Sequence, residues 1–201
     1  MPIQRAFVFL LLTGFLSAIG FAQEEKQEEK INQSYRAFGV AMGPGMAGVL
    51  DIHVTRWSTE EERKTLINCL VENGQEKTVE LLRKQKETGF TRTQSGAGMR
   101  GFPSVRLHYA HEFPQPDGKR VVVLVTDRNM GMAEVMRNSR SSDYDISAIV
   151  IELEKGEDGK EKGTGTLFLA AQLGFDKDKK QIVVEHLGTE PIRLTKVDRV
   201  K

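Results

Sequence analysis

The chain has 201 residues, with 29 Lys and Arg against 28 Asp and Glu and a single cysteine. That length suits one domain with a substantial core. The near-zero charge balance supplies no field to recruit nucleic acid or an anionic membrane, and one cysteine permits no internal disulfide.

The N-terminus reads as an address rather than as part of the domain. Arg5 is followed by an uncharged, mostly apolar run over residues 6–21, and Gly20 and Ala22 place small residues at the −3 and −1 positions of a cut after Ala22. This is the layout of a secretory signal peptide over residues 1–22; interrupted by Thr13, Gly14 and Ser17, the run is short for a membrane span. Cleavage removes Arg5 and no acid, leaving 28 basic against 28 acidic residues. The expectation is an exported protein, periplasmic or extracellular, with no membrane attachment after cleavage and no nucleic-acid partner. Residues 23–34 are highly charged and read as a solvated leader. The single domain spans residues 35–201.

Residues 35–42 and 49–57 read as a strand pair around a glycine-rich loop. In the second strand Leu50, Ile52 and Val54 share one face, and Asp51, His53 and Thr55 the other. Ser58 with Glu61 forms a capping-box pattern, and Leu66, Ile67, Leu70 and Val71 then recur at helical spacing up to Gly74. A second helix follows over about 75–86 with Val79 and Leu82 inward. Cys69 reads as a small buried thiol, and Trp57 as an anchor between helix and sheet.

Beyond Gly89 the pattern is strand throughout. Residues 90–93 are short, and residues 105–128 form a hairpin around Pro114, Pro116 and Asp117-Gly118. Val105, Leu107 and Tyr109 alternate with Arg106, His108 and Ala110. Residues 121–125 are apolar at every position, as in a strand covered on both faces. Residues 144–153, 164–173, 181–187 and 192–197 follow at meander-like intervals. The predicted class is α+β: a curved antiparallel sheet or partial barrel of about seven to eight strands, with a helical pair inserted after the first two.

Chemistry is sparse in this pattern. Gly96–Gly101 matches the letters of a dinucleotide motif, but Phe102-Pro103 and a strand follow where a helix is required, so no cofactor is expected; a loop over a pocket is the functional role left to it. His108 and His111 sit three apart on a strand and face opposite ways, and the possible set Asp51, His53 and His108 has no ligand spacing, so no metal is expected. Met130, Met132 and Met136 read as an apolar plug for the sheet. No catalytic signature appears. A polar group at one end of the sheet, Arg106, His108, Asp127 and Arg128, is the candidate binding site, against the plainer reading of a structural salt-bridge cluster.

Arg56-Trp57-Ser58-Thr59-Glu60-Glu61-Glu62-Arg63, the hairpin from Tyr109-Ala110 to Thr126-Asp127-Arg128, and Gly188-Thr189-Glu190-Pro191-Ile192-Arg193-Leu194 together resemble a family of uncharacterised secreted bacterial proteins of the kind abundant in Acidobacteria. The resemblance covers most of the mature chain and implies export and a bacterial source; it brings no activity and no catalytic residues. The leading expectation is a non-catalytic module that binds a small molecule, a polymer or a protein partner. The alternative is a periplasmic hydrolase pairing His108 with Asp127 or Asp143.

Overall fold

The computed structural model describes residues 31–40, 47–94, 104–130, 145–176, 181–187 and 190–200. The expected signal, most of the leader, the Gly96–Gly101 motif, Met132, Met136 and Asp143 lie outside the described residues. Ten strands and one helical element follow in order: β1 Gln33–Val40, β2 Ala47–Val54, α1 Glu60–Lys84, β3 Gly89–Thr93, β4 Val105–Leu107, β5 Tyr109–Pro114, β6 Arg120–Thr126, β7 Ile146–Lys155, β8 Glu161–Asp176, β9 Gln181–Leu187 and β10 Ile192–Arg199.

Every pairing is antiparallel, in the order β4-β3-β2-β1-β10-β8-β7-β6-β5, with β9 beside β8. The ends of that order meet, because His108 alone separates β4 from β5. On one side Thr88 N–H donates to the Leu107 carbonyl at 2.8 Å, and on the other His108 N–H donates to the Val125 carbonyl at 2.9 Å. One bent stave thus joins both edges and nearly closes a barrel. The expected count of seven to eight strands is therefore corrected to ten among the described residues. The bend at His108 divides one stave in two, and both the short β3 and the hairpin strand β9 enter the sheet.

The bend also corrects the expected faces. Val105 and Leu107 point into the barrel, but beyond His108 it is Ala110 that joins the interior, while Tyr109 turns outward beneath the helix. Elsewhere alternation is obeyed: Leu50, Ile52 and Val54 line the interior with Val122, Leu124, Ile149 and Ile151. The interior is filled by branched aliphatic side chains, as small barrels require. β8 passes between β7 and β10 on glycines. A Cβ on Gly163 would stand 1.8 Å from the Glu152 carbonyl oxygen, so only glycine admits that approach.

β6 is apolar throughout because it serves two cores. Val122 and Leu124 face the interior, whereas Val123 and Val125 meet Leu66, Ile67, Leu70, Val79 and Leu82 of α1 in an outer layer. The helix begins one residue later than expected. Thr59 is the N-cap, accepting from Glu62 N–H while the Glu62 carboxylate accepts from Thr59 N–H. Ser58 is instead tied to β5: its N–H donates to the Ala110 carbonyl, and its hydroxyl accepts from Ala110 N–H. Gly74, at φ 78° and ψ −177°, breaks the helix into the two expected segments. Val71 is exposed and Cys69 half-buried, so the buried stripe is narrower than the sequence pattern suggested.

Both ends of α1 are held by one side chain. Arg56 is buried, and its guanidinium grips the Glu62 carboxylate bidentately at 2.8 and 2.9 Å while donating to the carbonyls of Trp57, Lys86 and Glu87. Trp57 packs against the interior cluster rather than between helix and sheet.

Candidate functional site

The four candidate residues of the hairpin over residues 105–128 do not form one site. His108 Nε2 lies 3.5 Å from Asp127 Oδ1, and Asp127 Oδ2 lies 3.3 Å from Arg83 Nε. The other His108 nitrogen, Nδ1, is 3.3 Å from the Gln85 carbonyl. A carbonyl only accepts, so Nδ1 carries the proton. His108 thus commits Nδ1 to a carbonyl, and the carboxylate near its Nε2 is already held by an arginine, which is poor geometry for a base–carboxylate dyad. Their side chains are 11% and 15% exposed, leaving little room for a substrate. Arg106 turns to Glu87. Arg128 is exposed, and its main chain is bound by the Thr126 hydroxyl.

His53 and Asp51 share the outward face of β2, as expected, but with separate partners. His53 Nδ1 is 2.9 Å from the Ser34 hydroxyl, and its ring stacks on Phe90 at 4.7 Å. Asp51 accepts from Arg36 and Gln94 at 2.8 and 2.7 Å. Burial opposes its ionisation, yet these bonds and the Arg36 charge hold its carboxyl below the ordinary range. His108 belongs to a different cluster.

A polar network absent from the expectations closes one barrel mouth. Arg120 enters from β6 and meets Glu161 twice at 2.8 Å, together with Glu112, Gln33 and the Tyr35 hydroxyl. Arg199 reaches the same Glu161 at 2.6 Å, and Tyr35 donates to Gln33 at 2.6 Å. Two arginines balance two glutamates. Burial pushes the Tyr35 phenol up despite the nearby arginines, so it remains a donor. At the interior's opposite end Met130 is fully buried, the expected methionine plug in part. Its N–H lies 2.8 Å from both the Ser147 hydroxyl and the Leu169 carbonyl.

The concavity with ligand chemistry lies outside the barrel. Two register shifts, at Ile146/Ala148 in β7 and Gln172/Leu173 between β8 and β9, let the β8–β9 hairpin curl over the outer wall. Below it α1 covers Val123, Val125 and Ala148, but the same outward rows continue as Val121, Val150 and Phe168, which are only partly buried. The result is a groove of about 340 Å³ between those side chains and Leu173, Ile182, Val183 and Val184, with Thr166 and Glu152 as its polar members. A second depression, of about 360 Å³, shares Val121 and Glu152 and runs on beside the turn at Gln115–Arg120.

None of these groove residues was read as part of a site from sequence. The signal lay in the unbroken run over residues 121–125, whose outward half needs a cover longer than α1 supplies. No family model, curated protein or solved structure matches the chain, so the reading of function rests on this geometry.

Proposed function

We propose that the chain is an exported, non-catalytic binding module whose ligand seat is the groove on the outer wall of β6, β7 and β8. One observation carries this: Val121, Val150 and Phe168 are apolar yet only partly buried by the helix and the described part of the hairpin. A wall serving structure alone turns polar at that point. The volume falls at the lower end of the 300–1,000 Å³ range typical of ligand sites (roughly), and a few polar groups at an apolar cleft are what orient a ligand. Export follows from the signal-like N-terminus and the resemblance to secreted bacterial proteins. The alternative hydrolase has the proximity of His108 and Asp127 in its favour, but the pair's orientation and burial oppose it.

The test is a valine-methyl NMR titration of the purified protein with hexylamine, whose tail suits the groove and whose ammonium suits Glu152. Shifts confined to the methyls of Val121, Val150 and Val184, and abolished by Val150→Asp, are the expected outcome. If those methyls stay still, or interior Val122 moves equally, the groove is not the seat.

A further inference from the structure

The groove has a second property that narrows its ligand. Ile182, Val183 and Val184 all line it. Successive side chains of a strand face opposite ways, so a cavity touched by three in a row runs along the strand's edge. One edge of β9 is paired with β8, and no other pairing of β9 occurs among the described residues.

The hydrogen bonds show which groups face that open edge. Gln75, just after the Gly74 break, mimics a neighbouring strand on the far edge of β8: its Nε2 donates to the Ala171 carbonyl at 3.2 Å, and its Oε1 accepts from Leu173 N–H at 2.7 Å. Leu173 is paired with Val184 but sends its N–H away from it. That makes Leu173–Val184 a non-hydrogen-bonded pair, so the N–H and C=O of Val184 point away from β8. Two residues back, Ile182, opposite Phe175, does the same. Among the described residues this edge therefore presents two donors and two acceptors at the spacing of a strand ladder, above an apolar floor. It has no proline, lysine or bulge to blunt it between these two residues.

We infer that the groove receives an extended polypeptide segment, added as a strand to the open edge of β9. Its alternate apolar side chains rest on Val121, Val150 and Phe168, and a basic residue sits at Glu152. The inference rests on the groove being the ligand seat and assigns the class of ligand. Three observations select this occupant. An extended peptide satisfies both the main-chain edge and the apolar floor, the combination used in strand addition. The groove continues past Val121 and Glu152 into the second depression, giving an elongated path. Glu152 is the charged lining residue of the groove, whereas Glu185 lies over Gly174 and lines a separate depression beside Gly74. A basic residue of the peptide complements Glu152.

The experiment uses a blocked hexapeptide of alternating valine and threonine ending in lysine, measured by calorimetry against the purified protein. Two N-methylated forms accompany it, one methylated on the valine amides and one on the threonine amides. In a strand these two sets face opposite edges. One form should bind at least about tenfold more weakly than the parent, because ladder bonds are lost and buried acceptors are stranded. The other should bind as the parent does. The variant Val184→Pro, which removes an outward N–H together with one groove-lining side chain, should weaken the parent while preserving the fold. Equal binding of all three peptides, or no binding of the parent, overturns the inference; if hexylamine still moves the groove methyls, the seat survives and only its ligand class falls. Self-association through β9, seen as amide protection that grows with protein concentration, also overturns it by naming a second copy as the occupant.

Discussion

Arg56→Met is the sharpest test of how the helix is fixed to the barrel. A guanidinium has five N–H groups, and each of those on Arg56 meets an acceptor: Glu62 Oε1 and Oε2, and the carbonyls of Trp57, Lys86 and Glu87 at 3.2, 2.7 and 3.1 Å. Methionine keeps the stem volume and loses all five bonds. Removing one partner of a buried ion pair costs about 3–5 kcal/mol. Arg56 is 5% exposed but Glu62 is 23% exposed, and Lys86 and Glu87 are exposed as well, so water can reach the stranded carboxylate and carbonyls. The expected loss is therefore at the low end, about 3 kcal/mol. For a domain of this size it lowers the melting temperature by about 6–12 °C. Urea unfolding followed by far-UV circular dichroism gives the free energy directly. Arg56→Lys should recover less than half of it, since an ammonium lacks the planar fork. A loss below about 1 kcal/mol for Arg56→Met would refute the account, because that is the worth of an exposed ion pair.

Two further outcomes follow from the barrel interior and its mouth. Thr91 is fully buried on β3, and its hydroxyl has no hydrogen-bond partner among the described residues. Thr91→Val should raise stability by about 1 kcal/mol in the same urea assay; a loss of that size would mean that the hydroxyl is satisfied. Burial raises the Glu161 carboxyl, but hydrogen bonds from Arg199 and Arg120 outweigh it and hold the group below its ordinary 4.5. A depressed acid stabilises the fold above its unfolded pKa, and that stabilisation disappears as pH falls through the native value. Melting curves should therefore fall steeply below about pH 5 in the wild type and less steeply in Glu161→Gln. An unchanged acid limb in the variant would remove Glu161 from the list of groups that set acid stability.

The legible parts of the fold were those written in local pattern. Alternation in β2, the apolar run in β6, the break at Gly74 and the helix placement after two strands all follow from neighbours within a few residues. The bend at His108 does not, because residues 105–110 alternate without fault. Only the need of one stave to pair with β3 on one side and β6 on the other forces the turn. The Arg120 network is also invisible locally, since Gln33, Tyr35, Glu112, Glu161 and Arg199 come from separate strands and meet only when the barrel closes. The candidate cluster was half legible: hairpin geometry brings His108 to Asp127, but Arg83 and Gln85, which decide its chemistry, arrive from the helix.

The pairing of β1 with β10 carries a kinetic consequence. Tyr35 is registered with Arg199, and Ala37 with Val197, so the first stave finds one of its two neighbours only in the last of the described strands. Contacts of such sequence separation slow folding, because a long loop must close before they form. A polypeptide emerging N-terminus first cannot complete this barrel until β10 has emerged. For a chain proposed to cross a membrane before it folds, the wait for β10 acts as a built-in delay, keeping it threadable without a separate restraint.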